Sequence, residues 1–276
     1  GANLYNRSIV LQGFNKLEQG GRVTLGHYLD SRRETHISAS YQLQDVTVTD
    51  VAPALRPLFS QQGLTSSAIS DLSWDRRDNR LFPTKGFYTA VSGEFAGGPF
   101  GGAADFFRAR YNARGFVPIP VPLEPILRGN MNMGWIVPTL TDTVPVQERF
   151  RVCGINSIRG FGINSLGPRL RVLSQDDPAS PDVEFVVGGT QVFTLNLELE
   201  FPLIKPAGIR GVLFTDSGNA FEPGAGIVFD DLRYSYGFGI RWFSPIGPLR
   251  FEWGFPVDRE PGEDARQFEF TIGSFF

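Results

Sequence analysis

Along the last stretch of the chain, 266–276, apolar and polar residues alternate. Phe268, Phe270, Ile272 and Phe276 fall on one face, and Gln267, Glu269, Thr271 and Gly273 on the other. Period two sends successive side chains to opposite faces and predicts a β-strand. The same alternation recurs in 190–201, where Phe193, Leu195, Leu197, Leu199 and Phe201 oppose Thr194, Asn196, Glu198 and Glu200. It recurs in 232–242, where Tyr234, Tyr236, Phe238, Ile240 and Trp242 oppose Arg233, Ser235, Gly237, Gly239 and Arg241. Leu249, Phe251, Trp253 and Phe255 oppose Arg250, Glu252 and Gly254; Phe107, Ala109, Tyr111 and Ala113 oppose Arg108, Arg110, Asn112 and Arg114. Extended over the chain, the pattern predicts twelve strands, starting near residues 2, 20, 35, 66, 86, 105, 125, 190, 208, 231, 248 and 266. Short turns rich in Pro, Gly or Asp fall at 30–33, 79–86, 118–122, 205–208 and 244–248. Connections at the other ends are longer, and the longest runs from 140 to 189. A loop of that length inside a compact fold is usually functional or disordered.

A soluble β-sandwich also alternates, but its outer face is solvated and its inner face is a dry core. Here the polar face carries Arg, Glu, Asn and Gly, while the apolar face is rich in Phe, Tyr and Trp. Strands of about ten residues match the length that crosses a bilayer at a tilt. The four Trp (74, 135, 242 and 253) lie near strand ends or in aromatic-flanked strands, which suits interfacial girdles. The pattern predicts an all-β antiparallel transmembrane β-barrel.

Composition fits that fold and narrows the chemistry. The 276 residues are 41% hydrophobic with a mean hydropathy of -0.11, soluble-looking values that result when an apolar outer face and a polar lumen average out. No uncharged apolar run is long enough for a membrane-spanning helix. The 32 Gly, 20 Pro and 25 Phe favour short strands and tight turns. A net charge of -3 without a basic stripe gives no reason to expect nucleic acid. Lys occurs only at 16, 85 and 205, so the cations are overwhelmingly Arg, either suited to holding carboxylates on a charged lumen wall or reflecting codon bias. The lone Cys153 excludes an intrachain disulfide and any multi-Cys metal site. No leader stands at Gly1, so an exported protein is expected to be seen here without it.

Enzyme motifs are missing: there is no G-x-S-x-G elbow, no H-E-x-x-H, no Walker loop and no G-x-G-x-x-G after a strand. His27 and His36 sit near a turn and on a strand. Asp71 and Asp75 could be paired acids of a hydrolase, but Arg76 and Arg77 beside them favour an ion-paired turn. The expectation is a protein that is not an enzyme and uses no metal, cofactor or nucleotide.

The long loop carries Arg149-Phe150-Arg151-Val152-Cys153-Gly154-Ile155-Asn156-Ser157-Ile158-Arg159-Gly160-Phe161, followed by Leu166-Gly167-Pro168-Arg169. Three further segments stand in order around it. Asp75 to Gly86 reads D-R-R-D-N-R-L-F-P-T-K-G, Phe214 to Asn219 reads F-T-D-S-G-N, and Ser244 to Arg250 reads S-P-I-G-P-L-R. On its residues alone, Arg159 reads as a turn cap in a mobile outer loop rather than as a contact inside the lumen. Together the segments resemble the outer-membrane insertases of the BamA, TamA and mitochondrial sorting-assembly type. Ile158, Arg159, Gly160 and Phe161 match that family's [VI]-R-G-[FY] loop tip, and Phe276 ends an aromatic strand like a bacterial outer-membrane targeting signal. Cys153-Gly154 stands where the family usually has two glycines.

The resemblance implies that the loop folds into the lumen and that Arg159 meets Asp216, with Glu198 as a second acceptor. It implies a Gram-negative outer-membrane protein that folds and inserts β-barrel clients by strand exchange at a lateral gate. Its partners would be unfolded outer-membrane proteins, the lipid bilayer and accessory assembly lipoproteins. The gate strand would carry Phe268, Phe270, Ile272 and Phe276. Because the family barrel has sixteen strands preceded by POTRA domains, residues 1–276 would form either its C-terminal barrel portion or the smaller barrel of a short relative, with 140–189 as the lumen loop. The first and last strands would then leave an imperfect seam. A two-partner-secretion transporter and a passive porin stay open as alternatives.

Overall fold

A computed structural model describes residues 1–59, 61–172, 183–245 and 247–273. Twelve strands form one antiparallel sheet. In chain order they are β1 (Ala2–Leu11), β2 (Phe14–Tyr28), β3 (Thr35–Thr49), β4 (Gly63–Asp75), β5 (Gly86–Ala96), β6 (Phe106–Pro118) and β7 (Ile126–Pro138). After the long loop, which contains a small hairpin of β8 (Arg169–Val172) and β9 (Val183–Val186), come β10 (Gln191–Ile204), β11 (Ile209–Phe221), β12 (Arg233–Ser244), β13 (Gly247–Pro256) and β14 (Gln267–Ile272). Each strand of the large sheet pairs with its neighbour in sequence, and β7 pairs with β10 across the loop. β1 and β14 are the two edges, and among the described residues no ladder joins them.

The faces are inverted relative to a soluble protein. On β12, Tyr234, Tyr236, Phe238, Ile240 and Trp242 are exposed, while Ser235, Gly237, Gly239 and Arg241 are buried. On β3, Ser38, Ser40, Gln42 and Gln44 are buried and Ile37, Tyr41 and Leu43 point out. The outward aromatic residues pack side by side across β12, β13 and β14, with ring centroids 5.4 Å apart for Phe238–Trp253, 5.0 Å for Trp253–Phe268 and 5.0 Å for Phe251–Phe270. An apolar, aromatic exterior around buried charge is stable only where the exterior meets hydrocarbon. Phe268, Phe270 and Ile272 lie on that exterior, whereas Phe276 falls outside the described residues.

Two expectations need correction. β2 begins at Phe14 rather than near residue 20, after a two-residue turn in which Gly13 adopts φ +87°. Its first residues alternate correctly, but Phe14, Lys16 and Glu18 point inward and are buried there, so the charges belong to the lumen and not to a loop. Phe193 is on the outer face yet buried, because Phe229 from the loop before β12 covers it at 5.6 Å. Thr194, next to it on the strand, faces the lumen as the alternation implies, and its hydroxyl accepts a hydrogen bond from Asn132 at 3.1 Å.

Short turns close one rim. Asp78 organises the turn between β4 and β5: its carboxylate accepts the amides of Asn79, Thr84 and Lys85 and the Thr84 hydroxyl. Burial works against its charge, but these donors outweigh it and hold the carboxyl below its ordinary pKa. Asp75 is forked by Arg77 at 2.8 and 2.9 Å, and Asp71 accepts the Ser38 hydroxyl at 3.2 Å, so the two acids serve separate structural contacts.

Candidate functional site

The loop between β7 and β10 touches β2 near one edge of the sheet and β13 next to the other, so the sheet curls around it. Its tip rests on an apolar cluster of Val152, Cys153, Ile158, Phe161, Leu166 and Ala220. Burial pushes the Cys153 thiol up to about 12, despite hydrogen bonds from Ser165 and Leu166. Cys153 sits at φ +108° and Gly154 at +114°, so the first of these left-handed positions is held by a residue with a side chain.

At the tip, Arg159 turns into the wall. Its Nε and Nη2 donate to the two oxygens of Asp216 at 2.7 and 2.6 Å, and its amide donates to the same carboxylate at 3.0 Å. Nη1 donates to Glu198 at 2.6 Å and to Glu252 at 3.0 Å. The guanidinium carbon lies 3.5 Å from the centre of the Phe214 ring. Burial would lower the pKa of this group, but Asp216 and Glu198 raise it well above the ordinary arginine value. Arg159 is therefore a permanent buried cation.

β11 is built to receive it. Phe214, Asp216 and Gly218 are two residues apart and face the lumen together. The ring underlies the guanidinium, the carboxylate takes its fork, and Gly218 leaves room for Ile158, whose Cδ1 would lie 2.9 Å from a Cβ there. β13 supplies a second glycine. A Cβ on Gly254 would stand 2.4 Å from the amide nitrogen of Gly160 and 2.6 Å from its Cα, so loop and wall meet backbone to backbone. Gly254→Ala should displace the tip, at a cost of ~1–3 kcal/mol typical of overpacking. Labelling of the Cys153 thiol by a maleimide, slow in the parent, should accelerate about tenfold; unchanged labelling would show that the contact is not tight.

Sequence reasoning placed Arg159, Asp216 and Glu198, and the structure brings these three together. It missed the rest of the network. Arg241 on β12 donates to Glu198, Glu200 and Glu252 at 2.7–3.1 Å; Arg250 on β13 reaches Glu252 at 2.8 Å and the carbonyl of Ile155 at 3.2 Å. Arg128 on β7 and Arg210 on β11 hold Glu200 from the other side. All were visible as inward positions of alternating strands, but alternation names a face and not a partner. A neutral ladder continues the wall: Asn112, Asn130 and Asn196 bond in series at 2.9 and 3.0 Å, and Asn196 donates to the Ser157 carbonyl of the loop. Downstream, Phe161 lies under the Arg233 guanidinium at 5.0 Å, and Arg169 is 3.4 Å from both Glu184 and Glu260.

An Omp85 superfamily domain matches residues 2–276, nearly the whole chain. The chain belongs to the Omp85 superfamily. It is 32% identical over 241 residues to an outer membrane protein assembly factor BamA of Nitratidesulfovibrio vulgaris, covering 86% of this chain and 28% of that protein. It is 26% identical over 237 residues to the BamA of Neisseria meningitidis, covering 74% of this chain and 28% of that protein. The chain thus spans well under a third of these relatives. Among solved structures, BamA from Haemophilus ducreyi lacking POTRA domains 1-3 superposes with a TM-score of 0.81 at 20% identity, over 99% of this chain and 58% of that one. CdiB from Acinetobacter baumannii superposes with a TM-score of 0.59 at 13% identity, over 94% of this chain and 42% of that one. This Omp85 chain is an outer-membrane β-barrel.

Proposed function

We propose that this chain is the barrel portion of an outer-membrane protein assembly factor, residues 1–276, with 140–189 as its lumen loop, and that it inserts β-barrel clients by strand exchange. No catalytic chemistry, metal or cofactor enters this reading. The observation that carries it is the latch of Ile158, Arg159, Gly160 and Phe161 on Asp216 and Glu198. It fills the lumen with a loop tied to β13, directly beside the edge strand β14. Inside a bilayer an unpaired strand edge costs several kcal/mol per backbone group, so a client strand gains by pairing with it. β14 is held from one side only: among the described residues it pairs with β13 alone. Its described ladder with β13 runs from Leu249↔Ile272 to Gly254↔Gln267. Within it Glu269 stands directly opposite Glu252, and both Glu269 carboxyl oxygens are buried without a hydrogen-bond partner among the described residues. An unsatisfied buried group of this kind costs ~1–3 kcal/mol. Unfolded outer-membrane proteins are the partners this chemistry fits, with assembly lipoproteins as accessory subunits.

The test is client folding. Reconstituted in liposomes, the full-length protein should accelerate folding of an unfolded outer-membrane barrel severalfold, and a cysteine replacing Thr271 in β14 should cross-link to the client during that reaction. A large, steady single-channel conductance with no acceleration would favour a pore instead. Release of an exported protein across the membrane would favour a secretion transporter instead.

A further inference from the structure

The loop is fastened at its stem as well as at its tip. Glu148 ends a short turn, Val146–Glu148, that lies against inward residues of β2 and β6. Its Oε1 accepts Lys16 Nζ from β2 at 2.7 Å, and its Oε2 and its carbonyl accept Arg108 Nη2 from β6 at 2.7 and 2.9 Å. Lys16 also donates to the Gln147 carbonyl at 2.9 Å, and Arg108 to Glu94 on β5 at 2.9 Å. The side chains of Glu148, Lys16 and Arg108 are only 11%, 7% and 8% exposed. Beside them, Val146 packs on Phe14, Val48, Leu55 and Phe59. Burial alone would raise the Glu148 carboxyl, but Lys16 and Arg108 hold it at about 2.

This cluster shares no residue with the Arg159 network. It binds β2, β5 and β6 in the first half of the sheet, whereas Arg159 binds β10, β11 and β13 in the second. Only residues 149–158 separate the two anchors. We propose that Glu148 is a positioning residue: a second latch, independent of Arg159, that ties the loop stem to the β1–β2 edge and so spans the two sheet edges. The latch itself is a matter of geometry; its bearing on client entry, through the spacing of those edges, rests on the assembly reading above.

Glu148→Gln removes the charge-assisted bonds that hold the stem, while Lys16 keeps Glu18 at 2.7 Å and Arg108 keeps Glu94 at 2.9 Å on the wall, so the stem should loosen while the wall and the tip stay as they are. Hydrogen exchange on the full-length protein in phospholipid nanodiscs reads both ends. In Glu148→Gln, amides of 146–152 should exchange at least about tenfold faster than in the parent, with 158–161 unchanged. Lys16→Gln cuts the same pair from the wall and should give the same pattern if Glu148→Gln fails to fold. Glu148→Asp, which keeps the charge, should restore part of the protection. Protection of 146–152 that survives both Gln variants overturns the proposal, and so does equal loosening of 158–161, which would make the two anchors one unit. Neither readout involves a client, so a failure of the latch and a failure of the assembly function remain distinguishable.

Discussion

Arg159→Ala should release the loop tip from the lumen wall at a cost of ~3–5 kcal/mol, the range for removing one partner of a buried ion pair. The size follows from how unevenly the network shares its charge. Glu198 and Glu252 keep Arg241, and Glu252 also keeps Arg250. Asp216 keeps nothing comparable: among the described residues, every hydrogen bond to its carboxylate comes from Arg159. The variant therefore leaves a fully buried carboxylate facing a lost cation, and strips the Phe214 face as well. Cys153 is the reporter already in place, since it is buried in the cluster under the tip. Its maleimide labelling should rise by about a hundredfold or more, because each 1.4 kcal/mol is about a factor of ten. Asp216→Asn in the same chain should reverse part of that rise, because it removes the stranded charge. If Arg159→Ala leaves Cys153 as protected as in the parent, the ion pair is not what seats the loop. If the double variant labels as fast as the single one, the penalty does not lie on Asp216.

How much of this was legible in the sequence differs from link to link. The strands were legible because a half-polar wall imposes period two on every one of them, and β12 states it in ten consecutive residues. β2 was misread at its start because Lys16 and Glu18 look like loop residues to anyone assuming that charge faces solvent. In this fold the inward face is where charge belongs, and Lys16 is shared between Glu18 on its own strand and Glu148, 132 residues away. Pairing at such distances leaves no local pattern. For the same reason Glu148 drew no attention beside the conspicuous Arg149-Phe150-Arg151. Phe193 was read from its strand alone, and its cover, Phe229, comes from a loop whose path the alternation does not encode. The loop tip was legible only through likeness of motif. Nothing in the composition or spacing of Ile158-Arg159-Gly160-Phe161 says that a guanidinium there finds Asp216 rather than water. The glycines at 218 and 254 have a purpose only once Ile158 and Gly160 lie against them.

Phe238→Arg should destabilise the barrel by ~2–4 kcal/mol, while Tyr234→Arg on the same strand and face should cost only ~0–1 kcal/mol. Both residues are exposed on β12, at 48% and 44%, so exposure alone predicts the same outcome for each. They differ in depth. Phe238 sits mid-strand, stacked on Trp253 and opposite Leu213, where the outer face is apolar in every direction. Tyr234 is one residue from the start of β12, at the rim beside Arg233 and its ion pairs with Glu260 and Glu263. A guanidinium at the rim can reach water; one at mid-strand must drag water into hydrocarbon or distort the bilayer to stay solvated. Chemical unfolding of the full-length protein from phospholipid vesicles measures the two costs directly. On a soluble protein, a surface arginine at either place would shift stability by no more than ~0.5 kcal/mol. Equal and small costs at both positions would therefore contradict a bilayer around β12, whereas a steep fall from Phe238 to Tyr234 would trace the depth of the hydrocarbon along the strand.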